Sequence, residues 1–350
     1  MFAHQLLPPN TDPTPIFEMF RGNYATELLA AAVAHIRLFD LLAPGPLSFD
    51  EVKSRTSLAD RPATVLLTTT RAMGLIVRPA DGRFELTPIA REHLVRDSAL
   101  DISDYIGLAA QSAGVLEMVE RLRSNQPAGA TPGGAGAAFI YRDGIESAME
   151  SEQSARRLTL ALAGRAKNVA PFLAERAPLQ GAKRVLDLAG GTGIYAFAML
   201  QRYPNLRATI FDRARVLTIA REMAATYSVA NRADFVEGDM FADALPSDCD
   251  VILLSNVLHD WDIPECRALI RKCAAALPSG GRLLIHDVFL NDALDGPLPI
   301  ALYSAALFSL TEGRAYSAAE YRSWCGEAGL NAGEVGATLI HCGVTTAIKR

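Results

Sequence analysis

Apolar residues recur at helical spacing across residues 15–42, where Phe17, Met19, Phe20, Leu28, Leu29, Ala32, Val33, Ile36 and Phe39 form the repeat and Pro44-Gly45 ends it. Residues 47–95 then read as helix, turn, helix and a two-stranded wing. Ser48 with Glu51 three residues later is a capping box that opens the first helix. The second covers about residues 61–73, and the extended runs GLIVRPA and RFELT are joined by the turn Asp81-Gly82. Helical spacing resumes over residues 100–123. A Gly/Ala/Pro stretch at 125–137 reads as a loop, and a long helix is expected over residues 145–176.

From residue 184 the period changes. Short apolar runs, RVLDLA, RATIFD, ADFVEGD, DVILLSNVL and RLLIHDV, alternate with helical stretches of ten residues or more, which is the pattern of βαβ units around a buried parallel sheet. The last seventeen residues hold two extended runs around Cys342-Gly343, an antiparallel hairpin for the sheet edge. The fold class is therefore α/β. A Rossmann-like domain is expected over residues 171–350, behind a mostly helical, winged-helix-like domain at 1–100 and a helical connector with a substrate-pocket segment at 101–170.

Composition narrows the function. Of 350 residues, 50% are hydrophobic and 21% charged, with 34 Lys+Arg against 39 Asp+Glu and a net charge of -5. That balance excludes disorder, and it argues against a nucleic-acid coat, which needs a basic excess on at least one face. The winged helix tests the point locally. Across residues 47–97, eight basic residues meet seven acidic ones, and the helix RPATVLLTTTRAM carries two Arg and no Lys around Val65, Leu66 and Leu67. It reads as a helix made for burial rather than for a DNA groove. Apolar stretches at 28–42 and 296–310 fall short of the ~20 residues needed to span a bilayer. With no basic-then-apolar N-terminal pattern, a cytoplasmic location is expected. The five cysteines, Cys249, Cys266, Cys273, Cys325 and Cys342, form no C-x-x-C pair and read as reduced, buried thiols.

The candidate chemistry begins after the first strand of the α/β half, where Ala189-Gly190-Gly191-Thr192-Gly193 opens a helix. Glycines there allow a tight turn and close ligand approach to the helix N-terminus. Asp212 ends the next strand nineteen residues after Gly193, where a carboxylate can accept from both hydroxyls of a ribose. Gly191-x-Gly193-x-x-Ala196 also satisfies the loose dinucleotide fingerprint, so NAD is a rival. Two features favour S-adenosylmethionine. Asp187 stands inside the strand just before the glycines, where an amino group rather than a pyrophosphate would want it. Glu237-Gly238-Asp239-Met240-Phe241 pairs a carboxylate for the adenine amino group with apolar cover for its ring, though Met240 and Phe241 serve equally well as ordinary core.

Taken in order, VLDLAGGTG, FD, GDMF, LHDWD and LPSGGRLLIHDVFL resemble the S-adenosylmethionine-dependent O-methyltransferases of the caffeic acid and hydroxyindole type, including bacterial relatives that tailor polyketides and phenazines. The resemblance covers nearly the whole chain. It implies a class I methyltransferase domain, a winged-helix domain used for homodimerisation, and conversion of the cofactor to S-adenosylhomocysteine. It also implies that Gly190, Gly191, Asp212, Asp239 and Met240 hold the cofactor; Asp187, Gly193 and Phe241 join them from the reading above. Ser255 stands where plant members have a Lys beside the adenosine.

His259-Asp260-Trp261 follows one strand and Asp287 lies on another, both at carboxyl ends, where an open α/β sheet binds substrates. His259 is the expected general base for a hydroxyl, and Asp287 the carboxylate that orients its imidazole. The family pattern agrees, with Asp287 in place of its usual Glu. Strand alternation turns His286 away from Asp287 and so separates the pairs His259/Asp260 and His286/Asp287; no metal is required, and His286 and His341 are read as structural. Where plant members have a second Glu, in G-K-E-R-T, this chain has Gly313-Arg314-Ala315-Tyr316-Ser317, and Ser317 with Glu320 caps the next helix. Asp260, Leu302, Ala306 and Leu310, with Phe139, Tyr141 and Met149, are the expected acceptor contacts, for a small aromatic or polyketide-like molecule. Carbon methylation, cofactor-assisted chemistry without methyl transfer, and a DNA-binding regulator are the alternatives.

Overall fold

The computed structural model describes residues 4–126 and 152–350, with only the backbone of residues 152–155. It divides into two compact units. One comprises the described residues of Met1–Pro15, Glu146–Asp292 and Tyr316–Arg350; the other those of Ile16–Ile145 and Ala293–Ala315.

The second unit is mostly helical. Its chain runs through α1 (Thr14–Arg21), α2 (Asn23–Ala30), α3 (Leu38–Leu42), α4 (Phe49–Thr56) and α5 (Asp60–Ala72), a small hairpin of β1 (Ile76–Val77) and β2 (Glu85–Leu86), then α6 (Pro88–His93), α7 (Ser103–Gly107) and α8 (Ala113–Ser124). The single helix expected over residues 15–42 is broken. Gly22 bonds back three residues to Met19, Ala31–His35 widens to a π turn closed by Ile36 N to Ala31 O at 2.9 Å, and Arg37 takes φ 57°. Residues 100–123 break as well, between α7 and α8. The helix–helix–wing order is as read. Ser48 and Glu51 make both bonds of their capping box, and α5 buries Val65, Leu66, Leu67 and Thr68 to Thr70. Its two guanidiniums are engaged inside the unit. Arg61 donates to Thr311 O, Gly313 O and Asn125, and Arg71 donates to Ala293 O and Leu294 O beside Asp295. A DNA-reading helix needs such cations turned outward.

The first unit is the sheet. After α9 (Glu152–Arg176) come β3 (Arg184–Leu188), α10 (Ile194–Arg202), β4 (Arg207–Asp212), α11 (Ala214–Thr226), β5 (Ala233–Glu237), β6 (Val251–Ser255), α12 (Ile263–Ala276) and β7 (Arg282–Leu290). Strands β7-β6-β3-β4-β5 are parallel neighbours in that order. They are apolar on both faces because helices cover both, and Val185, Leu186, Ile210, Val251 and Leu284 are fully buried. The chain leaves β3 for β4 on one side and later returns on its other side as β6, which puts the topological switch point, where such sheets bind ligands, beside β3.

Residues 293–315 return to the helical unit as α13 (Leu298–Leu310), which buries Ala305 and Phe308 in that unit's core. The rest completes the sheet: β8 (Tyr316–Ser317) beside β7, α14 (Ala318–Glu327) with its Ser317/Glu320 capping box, and β9 (Leu330–Ala332), β10 (Gly336–Ala337) and β11 (Cys342–Lys349) as the antiparallel edge. The units therefore do not follow the linear boundary drawn at residue 170. That boundary falls inside α9, whose Ala163, Ala166, Ala170 and Leu173 are buried in the α/β core. Among the described residues no helix is long and apolar enough to cross a membrane, and the five cysteines are buried and form no disulfide with one another.

Candidate active site

The carboxyl ends of β3, β4 and β5 gather three acidic side chains. Asp187, at the end of β3, is 1% exposed, and its Oδ2 has no hydrogen-bond partner among the described residues. Burial, then the charge of Asp212, push its carboxyl up to about 7, against one opposing bond from the Ala196 amide. Gly190 is what leaves room beside it. A Cβ there would lie 2.7 Å from Asp187 Cγ and 3.0 Å from Ile210 Cγ2. Gly193, at φ 74°, starts α10 in the left-handed region, where any side chain would also run into the Phe197 ring. The glycine loop is fixed to β4 by Gly191 N donating to Asp212 Oδ2 at 2.8 Å, while Asp212 Oδ1 accepts from Arg213 N. Burial raises the Asp212 carboxyl above its ordinary value despite those two amides.

Beyond β5, Asp239 Oδ1 accepts from the amides of Phe241 and Ala242, and its Oδ2 meets Arg213 at 3.1 Å. Burial opposes these contacts but loses, so Asp239 stays below the usual carboxylate range. Lys272 holds the backbone oxygens of Met240 and Phe241 from α12. Met240 and Phe241 are half-buried, and Phe241 meets the Trp261 ring edge-on at 4.7 Å. Arg213, Val216, Gly238, Asp239 and Asp243 help to line a cleft of about 730 Å³.

The second cluster forms past the end of β6, beside Asp287, which β7 carries inside the strand rather than at its end. Asn256 turns the chain with φ 55° and donates its amide to His286 O, and a 3-10 turn over Leu258–Asp260 then carries His259. Its Nδ1 lies 2.5 Å from Asp287 Oδ1, with both side chains buried. On the other edge of the ring, Nε2 is 3.6 Å from Asp260 Oδ1. Burial pushes the imidazole down, but the charges of Asp287 and Asp260 and the hydrogen bond to Asp287 outweigh it, so the net direction is up from 6.5. Asp260 is pushed up to about 6, by burial first and by Asp287 as well, with His259 opposing. The turn is pinned from α12 and β8. Cys266 Sγ donates to Leu258 O and Trp261 O, and the Tyr316 hydroxyl donates to Trp261 O at 2.6 Å.

Alternation on β7 sends His286 to the other sheet face. There it bonds Ser255 Oγ at 2.8 Å and Thr338 Oγ1 at 3.2 Å, and burial lowers it to about 3, leaving a neutral structural histidine. Ser255, expected beside the cofactor, has its hydroxyl committed to that histidine and to Asn256. Leu302, Ala306 and Leu310 lie on α13 of the helical unit, the first two buried and the third half-buried. Phe139, Tyr141 and Met149 lie outside the described residues. Sequence reading passed over Asn256, held by Arg165 and Tyr195, and Tyr321 on α14, whose hydroxyl reaches Asp287 Oδ2 at 3.3 Å. A non-glycine residue in the left-handed region is often Asn, a usable if weak signal for the first; the second is a contact across 34 residues with no local signature.

Residues 136–331 match the O-methyltransferase domain family. The chain is also 34% identical to the 3-hydroxy-5-methyl-1-naphthoate 3-O-methyltransferase of Streptomyces sahachiroi, over 92% of this chain and 90% of that one. The chain belongs to the O-methyltransferase family. An O-methyltransferase family 2 protein from Planctomyces limnophilus, crystallised with apigenin, matches it at TM-score 0.90 and 48% identity over 100% of both chains. Human N-acetylserotonin methyltransferase, in complex with S-adenosylmethionine, shares the fold at TM-score 0.59 and 23% identity, over 98% of this chain and 99% of that one. This O-methyltransferase acts on small molecules with S-adenosylmethionine as cofactor. Its residues fit that cofactor on two observations: a buried carboxylate oxygen without a donor suits a cationic amino group, and the missing side chain of Gly190 leaves open the space beside it.

Proposed function

We propose that this O-methyltransferase methylates a hydroxyl of a small aromatic or polyketide-like molecule and that His259 takes the hydroxyl's proton. The observation that carries the proposal is the buried His259–Asp287 contact at 2.5 Å. A carboxylate accepting from Nδ1 keeps the proton there and leaves Nε2 as the basic nitrogen. A phenol near pKa ~10 gives up its proton poorly near neutral pH, so a base placed at the oxygen lowers the barrier. When bound, the cofactor supplies a methyl group already activated by its sulfonium. The protein's residues do the rest. Nε2 accepts the hydroxyl proton as the oxygen takes the methyl, Asp287 and Asp260 stabilise the imidazolium from either side, and His259 returns the proton to solvent.

Asp187 would hold the cofactor's amino group, Asp212 its ribose hydroxyls, and Asp239 and Met240 its adenine. The aromatic character of the acceptor is supported by the hydroxynaphthoate named for one relative and the apigenin bound to another. The helical unit serves as the surface for a second copy of the chain, because Met19, Phe20, Tyr105 and Leu108 are each at least 74% exposed there; light scattering should find a dimer.

The test of function is product analysis. The enzyme is incubated with apigenin and 13C-methyl-labelled S-adenosylmethionine, and the product is read by NMR. A label on oxygen is the expected result. A label on a ring carbon, or no transfer to any phenol despite tight S-adenosylhomocysteine binding, overturns the proposal.

A further inference from the structure

We infer that Tyr321 is a positioning residue for the catalytic pair: its hydroxyl, donated to Asp287 Oδ2, keeps the carboxylate turned toward His259 and tempers the charge the imidazole feels. The inference rests on His259 and Asp287 acting as proposed above.

Asp287 is 1% exposed. Its Oδ1 accepts from His259 Nδ1 and from Val288 N. Its Oδ2 accepts from Tyr321 at 3.3 Å, the one donor to that oxygen among the described residues. A buried carboxylate oxygen without a donor is costly, so this bond fixes how the carboxylate lies in its plane. The Tyr321 ring cannot drift. It is fully buried and meets Phe289, Tyr316 and Trp324 edge-on at 5.5, 5.8 and 5.4 Å. Burial, then the nearby charge of Asp287, hold its hydroxyl well above 10, so it remains protonated and can only donate to the carboxylate.

The electrical consequence has a definite sign. A hydrogen bond donated to a carboxylate spreads its charge and weakens its pull on a neighbouring imidazolium. Removing the donor therefore raises the proton affinity of His259. Among the described residues, Asp260 on the same turn raises that imidazole's affinity, and Arg165 on α9 lowers it. Cys266 on α12 gives its thiol proton to backbone oxygens of the same turn. None of these bonds Asp287 Oδ2, so the Tyr321 hydroxyl can be removed without disturbing them.

The experiment follows His259 by NMR titration in the full-length protein and measures kcat/KM against pH, for the wild type and for Tyr321→Phe. The midpoint should rise by about half to one pH unit and the acid limb of kcat/KM should move with it. Below the limb, activity then falls about three- to tenfold, with acceptor KM and S-adenosylhomocysteine affinity unchanged. Tyr203→Phe removes a hydroxyl that bonds Ala177 O, before the amino end of β4 and apart from the pair, and should leave the midpoint in place. A second arm keeps the side chain whole: 3-fluorotyrosine at position 321 is a stronger donor and should move the midpoint down. An unmoved midpoint in both Tyr321 substitutions overturns the inference. A moved midpoint with an unmoved rate profile leaves Tyr321 beside the pair and removes His259 as the base.

Discussion

Asp187→Asn should stabilise the cofactor-free protein and cripple cofactor binding. The wild-type carboxyl is buried, lacks a donor for Oδ2, and is raised from 3.8 to about 7. Holding it ionised in that place costs about 4 kcal/mol, at ~1.36 kcal/mol per pH unit. The sign follows from linkage. Because the folded-state value lies above the unfolded one, the cost is absent below pH 3.8, grows as pH rises through the interval, and is complete above about 7. An isosteric amide removes the charge but must itself be desolvated, so a gain of ~2 kcal/mol at pH 8 is a reasonable expectation. Thermal or urea unfolding of cofactor-stripped protein at pH 8 and pH 4 checks it: the variant should lead at pH 8, with the lead shrinking at pH 4. Calorimetry should find S-adenosylhomocysteine bound about 10- to 100-fold more weakly, the loss of one charge-assisted bond. A variant no more stable than wild type at pH 8, or one that binds normally, refutes the picture of a carboxylate kept strained for a cationic ligand.

Other consequences are sharper but simpler. Asp287→Asn keeps an oxygen for Nδ1 and Val288 N but removes the negative charge that stabilises the imidazolium, so kcat should drop about 10- to 10³-fold with cofactor affinity intact; unchanged kcat would mean the contact is structural. Gly190→Ala places a Cβ 2.7 Å from Asp187 Cγ and should cost ~1–3 kcal/mol of stability along with most of the cofactor affinity, read by melting and calorimetry. In the wild type, the net upward direction at His259 predicts an acid limb of kcat/KM above 6.5; a limb below that value would show burial winning over the two carboxylates.

Local signals carried the fold well. Both capping boxes, at Ser48 and Ser317, are present as read, and the apolar runs from residue 184 on became the parallel sheet, because a strand buried on both faces can be written in few other ways. Breaks in helices were harder. The π turn at Ala31–His35 opens within a run of fully buried alanines, Ala30 to Ala32, whose small side chains satisfy any helical register. Nor could a linear reading assign residues 293–315 to the helical unit, since an apolar helix announces burial without naming its partner. At the site, the meeting of His259 and Asp287 was legible because His259 follows the carboxyl end of β6 and Asp287 lies on the neighbouring strand just past the last β6 pair, although β7 runs on to Leu290. The approach of Asp260 to Nε2 was not, because it depends on a single 3-10 turn that folds adjacent residues around one ring. Ser255 illustrates the converse. Its place in the motif suggested a cofactor contact, while its neighbour across the sheet, His286, holds its hydroxyl.

The most direct test of the central claim is methyl transfer by His259→Ala under saturating S-adenosylmethionine and a phenolic acceptor such as apigenin, in a single turnover so that product release does not intrude. The account predicts a rate about 10²- to 10⁴-fold below wild type, with unaltered S-adenosylhomocysteine affinity and partial recovery as pH approaches the acceptor's own pKa. Transfer within a few-fold of wild type at neutral pH would contradict it.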